Sequence, residues 1–217
     1  MGALIPLSDA SRRPRHFPFI TALLIIANFA VFVLELQGGN AFVLQWSAIP
    51  VDVIKNQHWI TVFTAMFMHA GWLHIIGNMV FLWAFGPELE DAMGSIKYLV
   101  FYLLGGLVAM LAQIAVSPDS MVPTLGASGA IAAVMGGFLV TYPRDQIRTL
   151  LIIFIFVRIT TIPAALLIGF WILIQFFSIG TVATAQTGGV AYVAHVGGAL
   201  FGIATARLFE DPRRLTA

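Results

Sequence analysis

Cysteine is absent from the 217 residues. That excludes disulfides, thiolate nucleophiles and Cys-ligated zinc, and it leaves the redox compartment unreadable. Charge is scarce: Asp, Glu, Lys and Arg make up 10% of the chain, against roughly a quarter in ordinary soluble domains. The net charge is +1, and no cluster of Lys and Arg is large enough to grip a phosphate backbone, so nucleic acid is excluded as a partner. There is no HExxH sequence, no pair of aspartates inside an apolar segment and no long internal repeat. The residues for zinc-dependent or aspartyl cleavage within a membrane are therefore missing.

What is present is apolar. Hydrophobic residues make up 59% of the chain and the mean hydropathy is +0.94. Such a chain covers itself with lipid as well as filling a core. Segments of about 20 apolar residues can cross a bilayer, and six can be drawn, at 19–36, 72–87, 96–116, 125–142, 162–179 and 189–208. The first is too long for a signal-peptide core and lacks a clear cleavage site after it, so it reads as a retained span. The expected fold class is thus an all-α polytopic membrane protein. Residues 1–17 form an N-terminal segment, 18–209 a single six-span domain without a soluble appendage, and 210–217 a C-terminal tail.

Two apolar stretches do not read as spans. Residues 41–70 mix Trp46, Pro50, Asp52, Lys55, His58 and Trp59 into apolar sequence and read as a structured interfacial loop. The run TLLIIFIFV, 149–157, is too short to cross and is bracketed by Arg148 and Arg158, so it reads as lying along the inner surface. With six spans, ten of the eleven Lys and Arg residues share one side and only Lys55 falls opposite. That asymmetry makes both termini cytoplasmic.

Polar side chains inside a membrane are costly. Those that stand out are His74 and Asn78 in the second span, Ser128 in the fourth and His195 in the sixth. Counted from the cytoplasmic ends at ~1.5 Å per residue, Ser128 and His74 lie ~21 Å up, His195 ~18 Å and Asn78 ~15 Å. Three spans therefore bring polar groups to one layer in the outer half of the membrane. Small residues accompany them. Ser128, Ala132 and Gly136 recur every fourth residue, and His195, Gly198 and Gly202 share a helix face. Stripes of this kind let backbones approach closely, and packed together they bring the Ser128 hydroxyl to the His195 imidazole.

Taken alone, a serine in GASG is packing glue between helices and a membrane histidine is a structural group or a proton relay. Together they are a nucleophile and its base. No carboxylate lies at the right depth to complete a triad, so a Ser-His dyad is expected. His74, Asn78 and the Ser128 amide at the head of the fourth span supply donors for a developing oxyanion. His58, His69 and His74 are the one possible metal set, without a thiolate or a placed carboxylate to support it, and no metal or other cofactor is expected.

The motifs HIIGN (74–78), GASG (126–129) and AHVGGALFG (194–202), in that order on the second, fourth and sixth spans, resemble the rhomboid intramembrane serine proteases. The resemblance covers nearly the whole chain. It implies a six-helix rhomboid bundle with an interfacial first loop, Ser128 as nucleophile, His195 as general base and acid, and an oxyanion hole of His74, Asn78 and the Ser128 amide. It also implies a loop at 117–125 dipping toward a short fourth span, an acidic residue matching Glu90, and substrates that are transmembrane proteins cut near the outer leaflet of a prokaryotic plasma membrane. Lateral entry between the second and fifth spans would pass Phe170, Trp171, Phe176 and Phe177 as a gate. The sequence departs from the family pattern twice. Trp59-Ile60 stands where many members have Trp-Arg, and Ala132 stands where some stack an aromatic ring on the catalytic histidine, which leaves Tyr192 as a candidate to hold His195. The competing readings are a rhomboid-like pseudoenzyme that binds membrane helices without cutting them and a transporter using His195 as a proton relay. Retention of both Ser128 and His195 speaks against the first, and the lack of a charged midplane site and an inverted repeat against the second.

Overall fold

The computed structural model describes residues 2–182 and 191–215. It is mainly helical, and long helices coincide with the six apolar segments: α1 (Phe19–Trp46), α4 (Trp72–Met93), α5 (Ser95–Val116), α6 (Ser128–Thr141), α7 (Ala164–Val182) and α8 (Tyr192–Phe209). Short helices α2 (Pro50–Ile54) and α3 (Thr61–Thr64) lie in the first loop, and α9 (Pro212–Leu215) follows α8. The start expected for the sixth span, at 189–190, lies outside the described residues. Among the described residues α1, α5 and α8 are each long and apolar enough to cross a bilayer. A fourth crossing is available to the bent pair Thr61–Phe67 and Trp72–Met93, which turns through 87°. Helix α6, with 14 residues, is ~21 Å long, shorter than the ~30 Å hydrocarbon layer.

Two segments differ from expectation. The N-terminal segment, given no element of its own from the sequence, forms strand β1 (Gly2–Asp9). The run read as lying along the inner surface forms a hairpin of β2 (Gln146–Ile153) and β3 (Phe156–Pro163), which also takes the first residues assigned to the fifth span. The three strands pair antiparallel in the order β1-β2-β3. The cause is local: Thr, Ile, Val and Phe are strand formers, because their branched and aromatic side chains suit a pleated surface better than a helix. The hairpin turns at Phe154, with φ +53. Phe154, Ile155, Phe156 and Val157 are all exposed at its tip. Strand β1 lies along α4, and Pro6 and Leu7 line an apolar groove with Met79, Val80 and Trp83.

Charged groups tie the sheet to the bundle. Arg12 pairs with the Asp145 carboxylate and lies 3.7 Å from the Tyr142 ring centroid. Asp9 Oδ1 accepts the Ser11 N–H at 2.6 Å. Burial pushes the Asp9 carboxyl up to about 6; the Ser11 N–H works against that rise and neighbouring Asp145 adds to it. Glu90 does similar work at the N-terminal end of α1. The residue preceding that helix, Pro18, offers no side-chain cap. Glu90 accepts the backbone N–H of Ile20 at 3.0 Å and of Thr21 at 2.8 Å, the Thr21 hydroxyl at 2.9 Å, and the Ser95 hydroxyl at 2.8 Å from the start of α5. One carboxylate from α4 thus satisfies orphan donors at the head of α1 and anchors α5.

The central element is α6, buried from Gly129 to Phe138. Lipid is as apolar as leucine, so helices in it associate through close packing more than through exclusion of water. Here the packing is backbone to backbone. A Cβ on Gly198 would fall inside 3.0 Å of the Gly129 carbonyl oxygen, one on Gly202 would strike the Ala133 carbonyl, and one on Gly136 the Ala199 carbonyl. On the other side of α6, Gly105 and Ala109 of α5 meet Ala133 and Gly129. Of the small residues singled out on α6, Ala132 lies 3.3 Å from the Cβ position of Gly198 on α8.

Candidate active site

Ser128 is the first residue of α6. The chain reaches it through Gly126, whose φ of +137 is one that other residues rarely adopt. The Gly126 N–H is fixed to the Ala65 carbonyl at 2.8 Å, and Thr124 bridges to Ala48. The first loop therefore grips the segment 117–126 and sets the entry into α6. His195 lies in the first turn of α8 and is buried at 7% exposure. The contact between α6 and α8 brings its Nε2 to 2.7 Å from Ser128 Oγ.

The protonation pattern follows from the partners. His195 Nδ1 lies 2.7 Å from Gln175 Oε1. A carboxamide oxygen only accepts, so Nδ1 carries the proton of the neutral ring and Nε2 is left as acceptor for the Ser128 hydroxyl. Gln175 belongs to α7, and its own Nε2 donates to the Trp171 carbonyl at 3.4 Å. The Trp171 ring lies 5.5 Å from the His195 ring at 36°, and Tyr192 lies 6.4 Å away at 89°.

His74 and Asn78 lie one turn apart on α4. His74 Nδ1 accepts the Ala70 N–H at 3.3 Å, so its proton belongs on Nε2. A Cβ built on Gly126 would lie 3.2 Å from His74 Nε2 and 3.4 Å from Ser128 Oγ, so the glycine leaves the space between them open. Asn78 Nδ2 is buried and has no hydrogen-bond partner among the described residues. A hydroxyl in hydrogen-bond contact with an imidazole acceptor, with a second imidazole bordering the same glycine, is an arrangement that can support acyl transfer. Among the described residues no group of three or more His, Asp or Glu is arranged to hold a metal.

Of the four aromatics read as a gate, Phe170, Phe176 and Phe177 are exposed on α7, at 56%, 60% and 73%. Trp171 lies on the inner face with Leu167, Ile168 and Gln175, and it touches His195. Sequence reasoning missed Gln175. The signal was there: a lone amide in the middle of IGFWILIQFFSIG is as anomalous as the histidines.

Residues 56–211 match the family described as Rhomboid domain. Over 126 residues, 56% of the chain, the sequence is 31% identical to Rhomboid protease GluP of Bacillus subtilis (strain 168), covering 24% of that protein. Over 207 residues, 91% of the chain, it is 28% identical to the mitochondrial Rhomboid protein 1 of Saccharomyces cerevisiae, covering 54% of it. Over 150 residues, 64% of the chain, it is 30% identical to Rhomboid protease GlpG of Salmonella choleraesuis (strain SC-B67), covering 52% of it. The chain spans about half the length of these relatives or less.

Proposed function

The chain belongs to the rhomboid family, and we propose that it is an intramembrane serine endopeptidase that cleaves transmembrane proteins near the outer leaflet through a Ser128-His195 dyad. The observation that carries this reading is the 2.7 Å contact between Ser128 Oγ and the buried His195 Nε2 within the helical bundle. Two relatives carry the name rhomboid protease, which agrees with it.

The chemistry runs as follows. His195 Nε2 takes the hydroxyl proton as Ser128 Oγ attacks the scissile carbonyl. Negative charge gathers on the carbonyl oxygen, where His74 Nε2–H, Asn78 Nδ2–H and the Ser128 N–H donate to it. A donor that acts on the oxyanion alone stabilises the transition state rather than the bound substrate. His195 then gives its proton to the leaving amine. The acyl-enzyme is hydrolysed by a water that His195 activates in the same way.

The topology proposed is six spans over 18–209, with residues 1–17 and 210–217 on the cytoplasmic side of a prokaryotic plasma membrane. The placement of basic residues supports it. Substrates enter laterally beside α7, past Phe170, Phe176 and Phe177. Reconstitution with a reporter transmembrane substrate tests the reading. The wild type is expected to cut the reporter, and Ser128→Ala to leave it intact while folding normally. Equal turnover by Ser128→Ala would dismiss Ser128 as nucleophile.

A further inference from the structure

We propose that Gln175 is a positioning residue for the general base: from α7 it fixes the His195 ring in the tautomer and orientation that Ser128 requires. The inference rests on the serine-protease reading above and adds to it a third side chain that the dyad needs.

A dyad without a carboxylate has a tautomer problem. Neutral imidazole carries one proton, and either nitrogen can hold it. Only the form with Nδ1 protonated leaves Nε2 free to take the proton of Ser128. In a Ser-His-Asp triad the carboxylate selects that form and holds the ring. Here the groups around the ring are Ser128 from α6, Gln175 and Trp171 from α7, Tyr192 from α8 and, further off, His74 from α4. No carboxylate is among them in the described residues.

Among the described residues Gln175 Oε1 is the acceptor on Nδ1, at 2.7 Å. Its own orientation is fixed as well. The amide nitrogen is turned to the Trp171 carbonyl one helical turn back, which leaves the oxygen facing the ring. The side chain is buried, at 7% exposure, in a helix that is otherwise almost wholly apolar. A buried amide there is costly unless it is bonded, and the bond it makes is the one that sets the base. Trp171 and Tyr192 bracket the same ring and limit its tilt where the small Ala132 offers no aromatic face. The dyad is therefore complete only while α7 packs on α8, and a displacement of α7 withdraws the acceptor from Nδ1.

Gln175→Leu and Gln175→Glu, reconstituted as full chains beside the wild type, test this. Initial rates against a reporter transmembrane substrate give kcat and KM, and the rates are followed from acid to alkaline pH, with melting measured for each protein. Losing the acceptor in Gln175→Leu is expected to lower kcat by about 10- to 100-fold with little change in KM. That lies below the ~10⁴-fold loss seen when a triad is left with the wrong tautomer, because Trp171 and Tyr192 still confine the ring. Gln175→Glu restores an acceptor and adds a carboxylate. It is expected to recover most of kcat and to move the acid limb of the pH profile to higher pH, since a neighbouring negative charge favours the protonated imidazole. A residue that merely packs would change melting in both variants and leave the acid limb in place. Wild-type kcat in Gln175→Leu, or an unmoved acid limb together with no recovery in Gln175→Glu, overturns the positioning role. If the wild type labels at Ser128 with a fluorophosphonate and cuts the reporter, such a result removes this inference alone. If the wild type does neither, the protease reading falls and this inference with it.

Discussion

Gly198→Ala adds one methyl group at the contact between α6 and α8. The new Cβ would fall inside 3.0 Å of the Gly129 carbonyl oxygen, with the Gly129 carbonyl carbon at 3.1 Å and Ala132 Cβ at 3.3 Å. The first obstacle is backbone and cannot rotate away, so the helices must part. Ordinary contact begins at 3.4 Å, and an opening on the order of 1 Å is required to relieve the overlap and its neighbours. Gly129 follows the proposed nucleophile directly, and Gly198 lies three residues from His195, so the opening acts on the dyad. A Ser128–His195 distance of 2.7 Å would grow to ~3.7 Å, beyond hydrogen-bond range. Misplacement of ~1 Å can cost 10²-fold in rate. Stability should respond less, because Ala has the higher helix propensity by roughly 0.5–1 kcal/mol and α5 still grips α6 through Gly105 and Ala109. Initial cleavage rates in proteoliposomes, beside melting in detergent, read both quantities. A rate within about threefold of wild type would refute the argument, since it would mean that this contact does not set the Ser128–His195 distance.

His74→Ala and Asn78→Ala are expected to lower kcat by about 10²–10³-fold each, with smaller changes in KM, because both donors act on charge that exists only in the transition state; steady-state kinetics showing a pure KM effect would reassign them to substrate binding. At the other end of the molecule, Asp9 titrates at about 6 in the fold against an ordinary value of 3.8. The folded state then binds the proton more tightly than the unfolded one, so this group lowers stability as pH rises through that window and exerts its full cost above about 6. Asp9→Asn should therefore raise the melting temperature at pH 7.5 and give no gain at pH 4; an equal shift at both would exclude titration of Asp9 as the cause.

Much of the site was legible because a membrane makes polar residues conspicuous. His74, Asn78, Ser128 and His195 stand out of apolar sequence, counting helical rise put them in one layer as an expectation, and the structure brings Ser128 to 2.7 Å from His195. The packing faces were legible for a related reason: Gly and Ala at helical spacing have little other use in lipid. Three things were not. Gln175 was passed over because amides look less catalytic than imidazoles, although burial makes both equally costly. The sheet was hidden because TLLIIFIFVRITTIP is apolar enough to pass for a membrane-facing segment, and pairing between 2–9 and 146–153 is a long-range event that composition does not encode. The role of Glu90 depends on where the heads of α1 and α5 arrive, which only the packed bundle determines.

The central claim is that Ser128 is a nucleophile made reactive by His195. Its most direct measurement is fluorophosphonate labelling of the full chain in a bilayer, with the modified residue mapped by mass spectrometry in the wild type, Ser128→Ala and His195→Ala. The account predicts one adduct, on Ser128, in the wild type and none in either variant. An adduct on another residue, or labelling of His195→Ala at the wild-type rate, would contradict it.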